Sequence, residues 1–392
     1  MERLLVLGAS IAQIPFIKTA KRIGCFVGVV DNSPSAPAIE YADQYYKCSL
    51  LDYEGVLKVA TEFNAQGITC GASDVGVLIC AKVCNSLHLP SMSVETAINV
   101  KDKGAMIKAF EKYGVAHPDY QIVDSVDSDI LLNYPYITKP VDNSGSRGIN
   151  VVHDSSEIKN ALSDSFSKSD CRKVIIEEYL NGPEVSVEIL VQDGEPYILQ
   201  VTDKLTTGEP HFIEIGHSQP SQLPESTLNE IRYLAGKSVK AVGVIDGCCH
   251  AEIRVTDCGP KMIEIAGRLG GDFITTVLLP ISTGVNLSEY EIYRALGIKK
   301  QFDPTFITGN RGVAVRFIEA RPGKIKSVAV DYLAEEMVGV EELRFVCKTG
   351  IQYGNAENNN DRFGYVISTG KTTQTAIDRC ERVLQNIIID ME

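Results

Sequence analysis

The 392-residue chain predicts an α/β protein with a parallel-sheet N-terminal domain, a smaller hairpin-built unit and a large α+β C-terminal domain. Three observations lead there. Residues 1–95 alternate short apolar strands with helices, the rhythm of a parallel sheet covered on both faces. From Tyr136 onward, strands come in pairs joined by turns, as antiparallel hairpins do. The length suits several structural units at about 100–200 residues each.

Arg3–Leu7 reads as the first strand, turning at Gly8-Ala9-Ser10 into a helix over Pro15–Ile23. Cys25–Val30 is the second strand, Asp52–Ala60 a helix, Gly67–Cys70 a strand and Val75–Leu87 a helix. A helix over Lys101–Tyr113 stops at Gly114. Tyr136–Lys139 and Ile149–Val152 pair across a long polar tip, with a helix over Ser155–Leu162 and a strand over Val174–Glu178. Glu184–Val191 and Pro196–Thr202 form a hairpin across Asp193-Gly194. A helix follows over Leu223–Val242, then a hairpin of His250–Thr256 with Met262–Ile265, and a helix over Leu287–Leu296. Strands and a last helix over Thr372–Ile388 complete the chain, with a polar loop at Asn355–Asn360.

Composition narrows the function. The net charge is −13 and there is no Lys/Arg run, which excludes the basic footprint of a nucleic-acid binder. Eleven cysteines are scattered without zinc-ligand spacing and read as free thiols of a reducing compartment. No stretch reaches the roughly 18 apolar residues of a membrane helix. The first residues lack a signal-peptide pattern, so a cytoplasmic location is expected. Gly8-Ala9-Ser10 and Asp31 suggest a dinucleotide fold only superficially, because Ser10 and Gln13 break the glycine pattern.

Five segments carry chemistry. Lys139 ends a strand and leads into Ser144-Gly145-Ser146-Arg147-Gly148, a small-residue loop whose backbone N–H groups suit a phosphate. It lacks a P-loop ending, and a plain hairpin tip is the alternative. Glu177-Glu178-Tyr179-Leu180 runs off a strand, and Glu184 opens the next one. A strand end offers backbone to a base and a following carboxylate offers acceptors to a ribose, though an edge strand and turn would look the same. Glu252 and Glu264 lie twelve apart on the strands of one hairpin and are placed to face each other. Facing carboxylates repel unless a cation joins them, and oxygen ligands suit Mg²⁺; two solvated glutamates are the alternative. Arg268, before Gly270-Gly271, would hold a carboxylate or acyl phosphate through its fork of donors, or stand as a surface arginine. The fifth is Glu214-Ile215-Gly216-His217, whose histidine alone would read as a satisfied structural residue.

The order of these segments, rather than any one, resembles the ATP-grasp superfamily over about residues 1–300, most strongly from Lys101 to Asp272. The resemblance implies an ATP-grasp fold: a Rossmann-like domain at 1–100, a linker helix and lid at 101–205 (lid about 135–205), and a core at 206–392. It implies Lys103 and Lys139 as ATP lysines, Ser144, Gly145, Ser146, Arg147 and Gly148 as the lid loop, Glu177 and Leu180 at adenine and Glu184 at the ribose. Glu252 and Glu264 match the magnesium ligands, with Mn²⁺ an alternative metal, and Arg268 matches the arginine on the acyl phosphate. Ala266 stands where many members have a further ligand, Asn, which argues against a biotin-carboxylase or D-alanine-ligase type. The Glu214–His217 segment resembles that of dipeptide-forming L-amino acid ligases, in which it and the arginine line the amino-acid pocket; Gly216, His217, Arg268, Gly270 and Gly271 are the substrate residues this implies. The implied reaction activates a carboxylate as an acyl phosphate and passes it to an amine. Arg268 and His217 would stabilise the oxyanion, and Glu214 or His217 would handle the amine proton. The implied partners are a small-molecule carboxylate and amine, with neither nucleic acid nor membrane, in a homodimer. A purine-pathway ligase or carboxylase and a non-catalytic ATP-binding subunit are the rival readings.

Overall fold

The structure is a computed structural model describing residues 1–143, 145, 147–309, 311–330 and 338–392. Ser144 and Ser146 of the lid loop therefore lie outside the described residues.

The N-terminal domain holds β1 (Arg3–Leu7), β2 (Phe26–Asp31), β3 (Gln44–Lys47) and β4 (Gly67–Thr69) in a parallel sheet of order β3-β2-β1-β4. Helices α1 (Ile14–Arg22), α2 (Tyr53–Glu62) and α3 (Val77–Leu87) flank it. Alternate residues of β1 serve opposite faces: Leu5 and Leu7 join one core, Leu4 and Val6 another. That is why the strand reads as a continuous apolar run. Gln13 fills the β1 turn: its amide donates to Leu7 O and Cys70 O, and Ser10 N donates to its Oε1.

Helix α4 (Val94–Asn99) and α5 (Lys103–Tyr113), N-capped by Asp102, lead to a second sheet. It contains β5 (Tyr120–Val123), β6 (Tyr136–Pro140), β7 (Asn150–Val152) and β8 (Val174–Glu178) in the order β5-β8-β6-β7, covered by α6 (Ile158–Ser167). The sequence places α6 three residues too early. Asp154 accepts from Ser156 N and Glu157 from His153 N, so these residues form a turn before the helix begins.

The third sheet combines β9 (Glu184–Gln192), β10 (Glu195–Thr206), β11 (Glu214–Gln219), β12 (Gly247–Thr256), β13 (Gly259–Ala266) and β14 (Gly312–Ile318), with helices α7 (Glu225–Val242), α8 (Leu279–Thr283) and α9 (Leu287–Ala295). After β15 (Gly323–Val330) come β16 (Val340–Phe345), β17 (Gln352–Tyr353), β18 (Gly364–Gly370), α10 (Thr373–Gln385) and β19 (Ile387–Met391). Among the described residues the large sheet has the order β13-β12-β9-β10-β11-β14-β18-β16, and β17-β15-β19 form a small one. A division at 205/206 cuts β10 before its last residue and separates it from its hydrogen-bonded neighbour β11, and among the described residues the lid sheet takes only strands from 120–178. The last helix stops at Gln385 rather than Ile388 because β19 pairs with β15, a tertiary contact that local pattern does not encode.

One apolar cluster runs from Leu5 and Val83 through Ala97 and Met106 to Val187, Ile253 and Ile265. It fixes the N-terminal domain against the large sheet, so the loop after β4 overhangs the open face of that sheet.

Candidate functional site

Between the lid sheet and the large sheet lies a cavity of about 450 Å³. Strand periodicity decides what faces it. On β6, Thr138 points to α6 and bonds Ser165 while Ile137 and Lys139 line the cavity. On β8, Ile176 packs with α6 and Glu177 lines the cavity. Lys139 Nζ and Glu177 Oε2 pair at 2.6 Å, both buried. Gly145, Arg147 and Leu180 also line the cavity. Gly148 does not: its carbonyl accepts from Ser165 Oγ at 2.8 Å, which makes it part of the hairpin base. The turn after β8 needs a glycine, since Gly182 has φ +124° and a Cβ there would come 1.9 Å from Val255 O.

Glu252 and Glu264 are direct cross-strand partners on β12 and β13, with a bulge just after Glu252. Both face the cavity. Lys103 Nζ lies 3.1 Å from Glu264 Oε2 and donates to Asn143 O at 2.7 Å. Lys204, on β10 and 3% exposed, joins three carboxylates: Glu184 at 2.7 Å, Glu252 at 2.9 Å and Glu214 at 3.1 Å. Burial opposes the charge on Lys204, but these glutamates hold its pKa well above 10.5. Burial likewise opposes the Glu252 carboxylate, yet Lys204 and His250 hold its pKa well below 4.5. Glu184 receives a second cation, Arg254 Nη2, at 2.7 Å. The donor set fits a hard divalent cation: carboxylate oxygens converge from two strands, and ammonium groups stand where positive charge is required. Ala266, 4% exposed, follows on the same strand and offers no ligand atom.

At the other end, Arg268 donates from Nε and Nη2 to the two oxygens of Asp74, the latter at 2.6 Å, and from Nη1 to Leu269 O at 2.7 Å. A guanidinium has five N–H groups, so one remains on each terminal nitrogen. Asp74 comes from the loop after β4. Burial alone would raise its pKa, but Arg268 lowers it below 3.8. Glu214 opens β11, and Asp272 beside it is held by Arg362 through two bonds of 2.8 and 2.9 Å. The Arg362 guanidinium lies 3.6 Å over the Phe317 ring.

His217 is fully buried, with Nε2 3.2 Å from Glu214 Oε2 and 3.9 Å from Asp272 Oδ2. Neither ring nitrogen has a hydrogen bond among the described residues. Burial lowers its pKa, but Asp272 and Glu214 outweigh this and raise it above 6.5. His217 thus stands behind Glu214 rather than on the cavity wall. Gly216 faces Arg316, and Gly270 faces Glu188, His250 and Thr275, whereas Gly271 lines the cavity.

Sequence reasoning brings twelve candidates to this one cavity: Lys103, Lys139, Gly145, Arg147, Glu177, Leu180, Glu184, Glu214, Glu252, Glu264, Arg268 and Gly271. It misses Lys204, Asp74, His250, Asp272 and the loop Asn359–Arg362, whose Asn359 accepts from Glu214 N at 3.0 Å. A signal exists for one of them: alternation along β10 puts Lys204 on the polar face with Thr202 and Thr206.

Residues 132–276 match an ATP-grasp domain model. The chain thus carries an ATP-grasp domain, and its fold is the ATP-grasp fold. Residues 316–392 match, more particularly, the L-amino acid ligase C-terminal domain 2. The alanine–anticapsin ligase of Bacillus subtilis (strain 168) is 28% identical over 245 residues, 56% of this chain and 51% of that protein. The chain thus spans about half the length of that curated relative. The crystal structure of an L-amino acid ligase from Bacillus licheniformis superposes with a TM-score of 0.88 at 20% identity, covering 100% of this chain and 99% of that one. A phosphoribosylglycinamide synthetase from Anaerococcus prevotii follows at 0.80 and 21%, with both chains covered completely.

Proposed function

We propose that the chain is an ATP- and Mg²⁺-dependent carboxylate–amine ligase with an amino acid as carboxylate donor. The observation that carries this reading is the Glu252–Glu264 cross-strand pair, ringed by Lys103, Lys139 and Lys204 with Arg268 at one end of the cavity. Glu177, Leu180 and Glu184 sit where adenine and ribose enter, and the lysines face the phosphates. Glu252 and Glu264 would hold Mg²⁺, which would supply neutralisation of phosphate charge. Lys103 pairs with Glu264 and Lys204 with Glu252, so both ammonium groups stand beside the carboxylates that would hold the metal and its phosphates. Arg268, oriented by Asp74, offers its two remaining N–H groups to the activated carboxylate and to the oxyanion formed when the amine attacks. Glu214 and Asp272 attract the amine as its cation, and Glu214, nearer the cavity than His217, accepts its proton. The lid sheet covers the cavity and keeps water from the acyl phosphate.

The purine-type reading needs cationic groups for a sugar phosphate. At the substrate end Arg268 and Arg362 are already taken by Asp74 and Asp272, and Glu214 stands beside them, which favours an amino-acid substrate.

Phosphate release with ATP, Mg²⁺ and every pair of common amino acids, followed by mass spectrometry, tests the proposal. ADP appearing with a dipeptide supports it. ADP formation with no pair, alongside turnover of a sugar-phosphate amine, would replace it with the purine-type reading.

A further inference from the structure

Glu188 occupies the middle of β9 and is fully buried. It is the direct cross-strand partner of His250 on β12. His250 Nδ1 donates to its Oε1 at 2.6 Å, and the Thr275 hydroxyl donates to its Oε2. Thr275 Oγ1 in turn accepts from Gly270 N at 2.7 Å. A Cβ on Gly270 would lie 2.6 Å from His250 Nδ1, 2.8 Å from Thr275 Oγ1 and 2.9 Å from Glu188 Oε2, so the Gly270 turn is pressed onto this cluster. On its other side, His250 places Nε2 3.5 Å from Glu252 Oε1. A buried carboxylate is costly unless fully partnered. Here its partners belong to two different functional elements, the metal hairpin and the turn that follows Arg268. Replacing the cluster by apolar side chains would preserve packing, so packing alone gives no reason for a carboxylate there.

We propose that Glu188 is a positioning residue with two arms. Through His250 it fixes the Glu252 carboxylate, and through Thr275 it fixes the Gly270 turn beside Arg268, so the metal ligand and the arginine keep one mutual geometry. This rests on the reading of Glu252 as a metal ligand. An outer carboxylate that orients a group against a metal ligand is a common support, and its loss typically costs about 10–100-fold in metal affinity.

The test is calorimetric titration of the ADP-saturated protein with Mg²⁺, for the wild type and Glu188→Gln, His250→Gln, Thr275→Val and Glu252→Gln. ADP binding in EDTA is measured in parallel and reports that each variant is folded with an intact nucleotide pocket. Glu188→Gln and His250→Gln are expected to weaken Mg²⁺ by about 10–100-fold while ADP binding in EDTA stays within twofold. Thr275→Val, which cuts only the other arm, is expected to change Mg²⁺ affinity less than threefold. Wild-type Mg²⁺ affinity in both Glu188→Gln and His250→Gln, with Glu252→Gln impaired, overturns the proposal and leaves the metal reading standing. Equal weakening in Thr275→Val and His250→Gln also overturns it, since the cluster would then be undivided structural support. Unchanged Mg²⁺ affinity in Glu252→Gln removes the metal reading itself.

Discussion

Two hairpins face each other across the cavity and differ in how they hold their functional groups. The β12–β13 hairpin turns tightly at Asp257-Cys258, places Glu252 opposite Glu264, and is braced by Lys204, His250 and β9. The β6–β7 hairpin pairs only three residues of β7 and runs through a tip from Val141 to Ile149. In the first, Glu252 is held by Lys204 and His250 on strands of the same sheet, and Glu264 by Lys103 at the start of α5. In the second, Lys139 lies on the strand and is held by Glu177 of β8, whereas the tip's Asp142 and Asn143 bond Cys171 N and Lys168 O, which lie outside the strands. On the proposed reading, the metal ligands sit on paired strands and the lid residues on the connection between two strands.

If that contrast is right, damage to the rigid hairpin should be the more severe. Glu252→Gln or Glu264→Gln is expected to lower the rate of ADP formation by more than about a hundredfold, beyond the range typical of supporting residues. Excess Mg²⁺ should restore part of the loss, and steady-state assays across Mg²⁺ concentrations check this. Next comes the arginine, held by a strand-end turn. Arg268→Lys is expected to reduce kcat by about 10²–10³-fold, the usual cost of one oxyanion donor, with ATP binding unchanged. Asp74→Asn, which loosens the same guanidinium without removing it, should cost about tenfold in kcat through misplacement.

Removing a tip residue should do least to the chemistry. Arg147→Ala is expected to raise the KM for ATP several-fold and leave kcat within about threefold, because uniform binding is lost and not transition-state stabilisation. A fall in kcat matching that of the glutamate variants would show that the tip takes part in the chemical step no less than the metal hairpin.

The smallest effect concerns His217. Its pKa is raised above the unfolded value of 6.5, with burial opposed by Asp272 and Glu214. A raised pKa in the folded state means that its stabilising contribution is fully present below about pH 6.5 and is lost as the pH climbs through the folded value. The Tm difference between wild type and His217→Asn should therefore be larger at pH 6 than at pH 9. A difference that grows with pH would contradict protonated His217 between two carboxylates.

The same contrast governs what could be read from the sequence. The Glu252–Glu264 pair is legible as two carboxylates on the strands of one hairpin, but their direct pairing depends on the bulge after Glu252, since the register from the turn alone would put Ile263 opposite it. Lys139 and Glu177 were legible because each ends an apolar strand. Lys204 and Asp74 were not: each takes its role from partners distant in sequence, Lys204 across 48 residues to Glu252 and Asp74 across 194 to Arg268. The histidine of the Glu214–His217 segment reads as a pocket residue, and it does pair with Lys204 on the face that carries Glu214, but Glu214 and Asp272 cover it there and it packs against Phe317. Asn359 sits in the polar Asn355–Asn360 loop and Arg362 just beyond it, where composition marks no site. The chain must fold before that loop meets Glu214 and Asp272.

On the proposed mechanism a carboxylate is activated as an acyl phosphate before the amine attacks. Its most direct test uses the amino acid found in the substrate screen, labelled with ¹⁸O in its carboxylate, with mass analysis of the released phosphate. Transfer of one labelled oxygen to inorganic phosphate, together with ADP and the amide, is the result the account predicts. Unlabelled phosphate, or AMP in place of ADP, would contradict it.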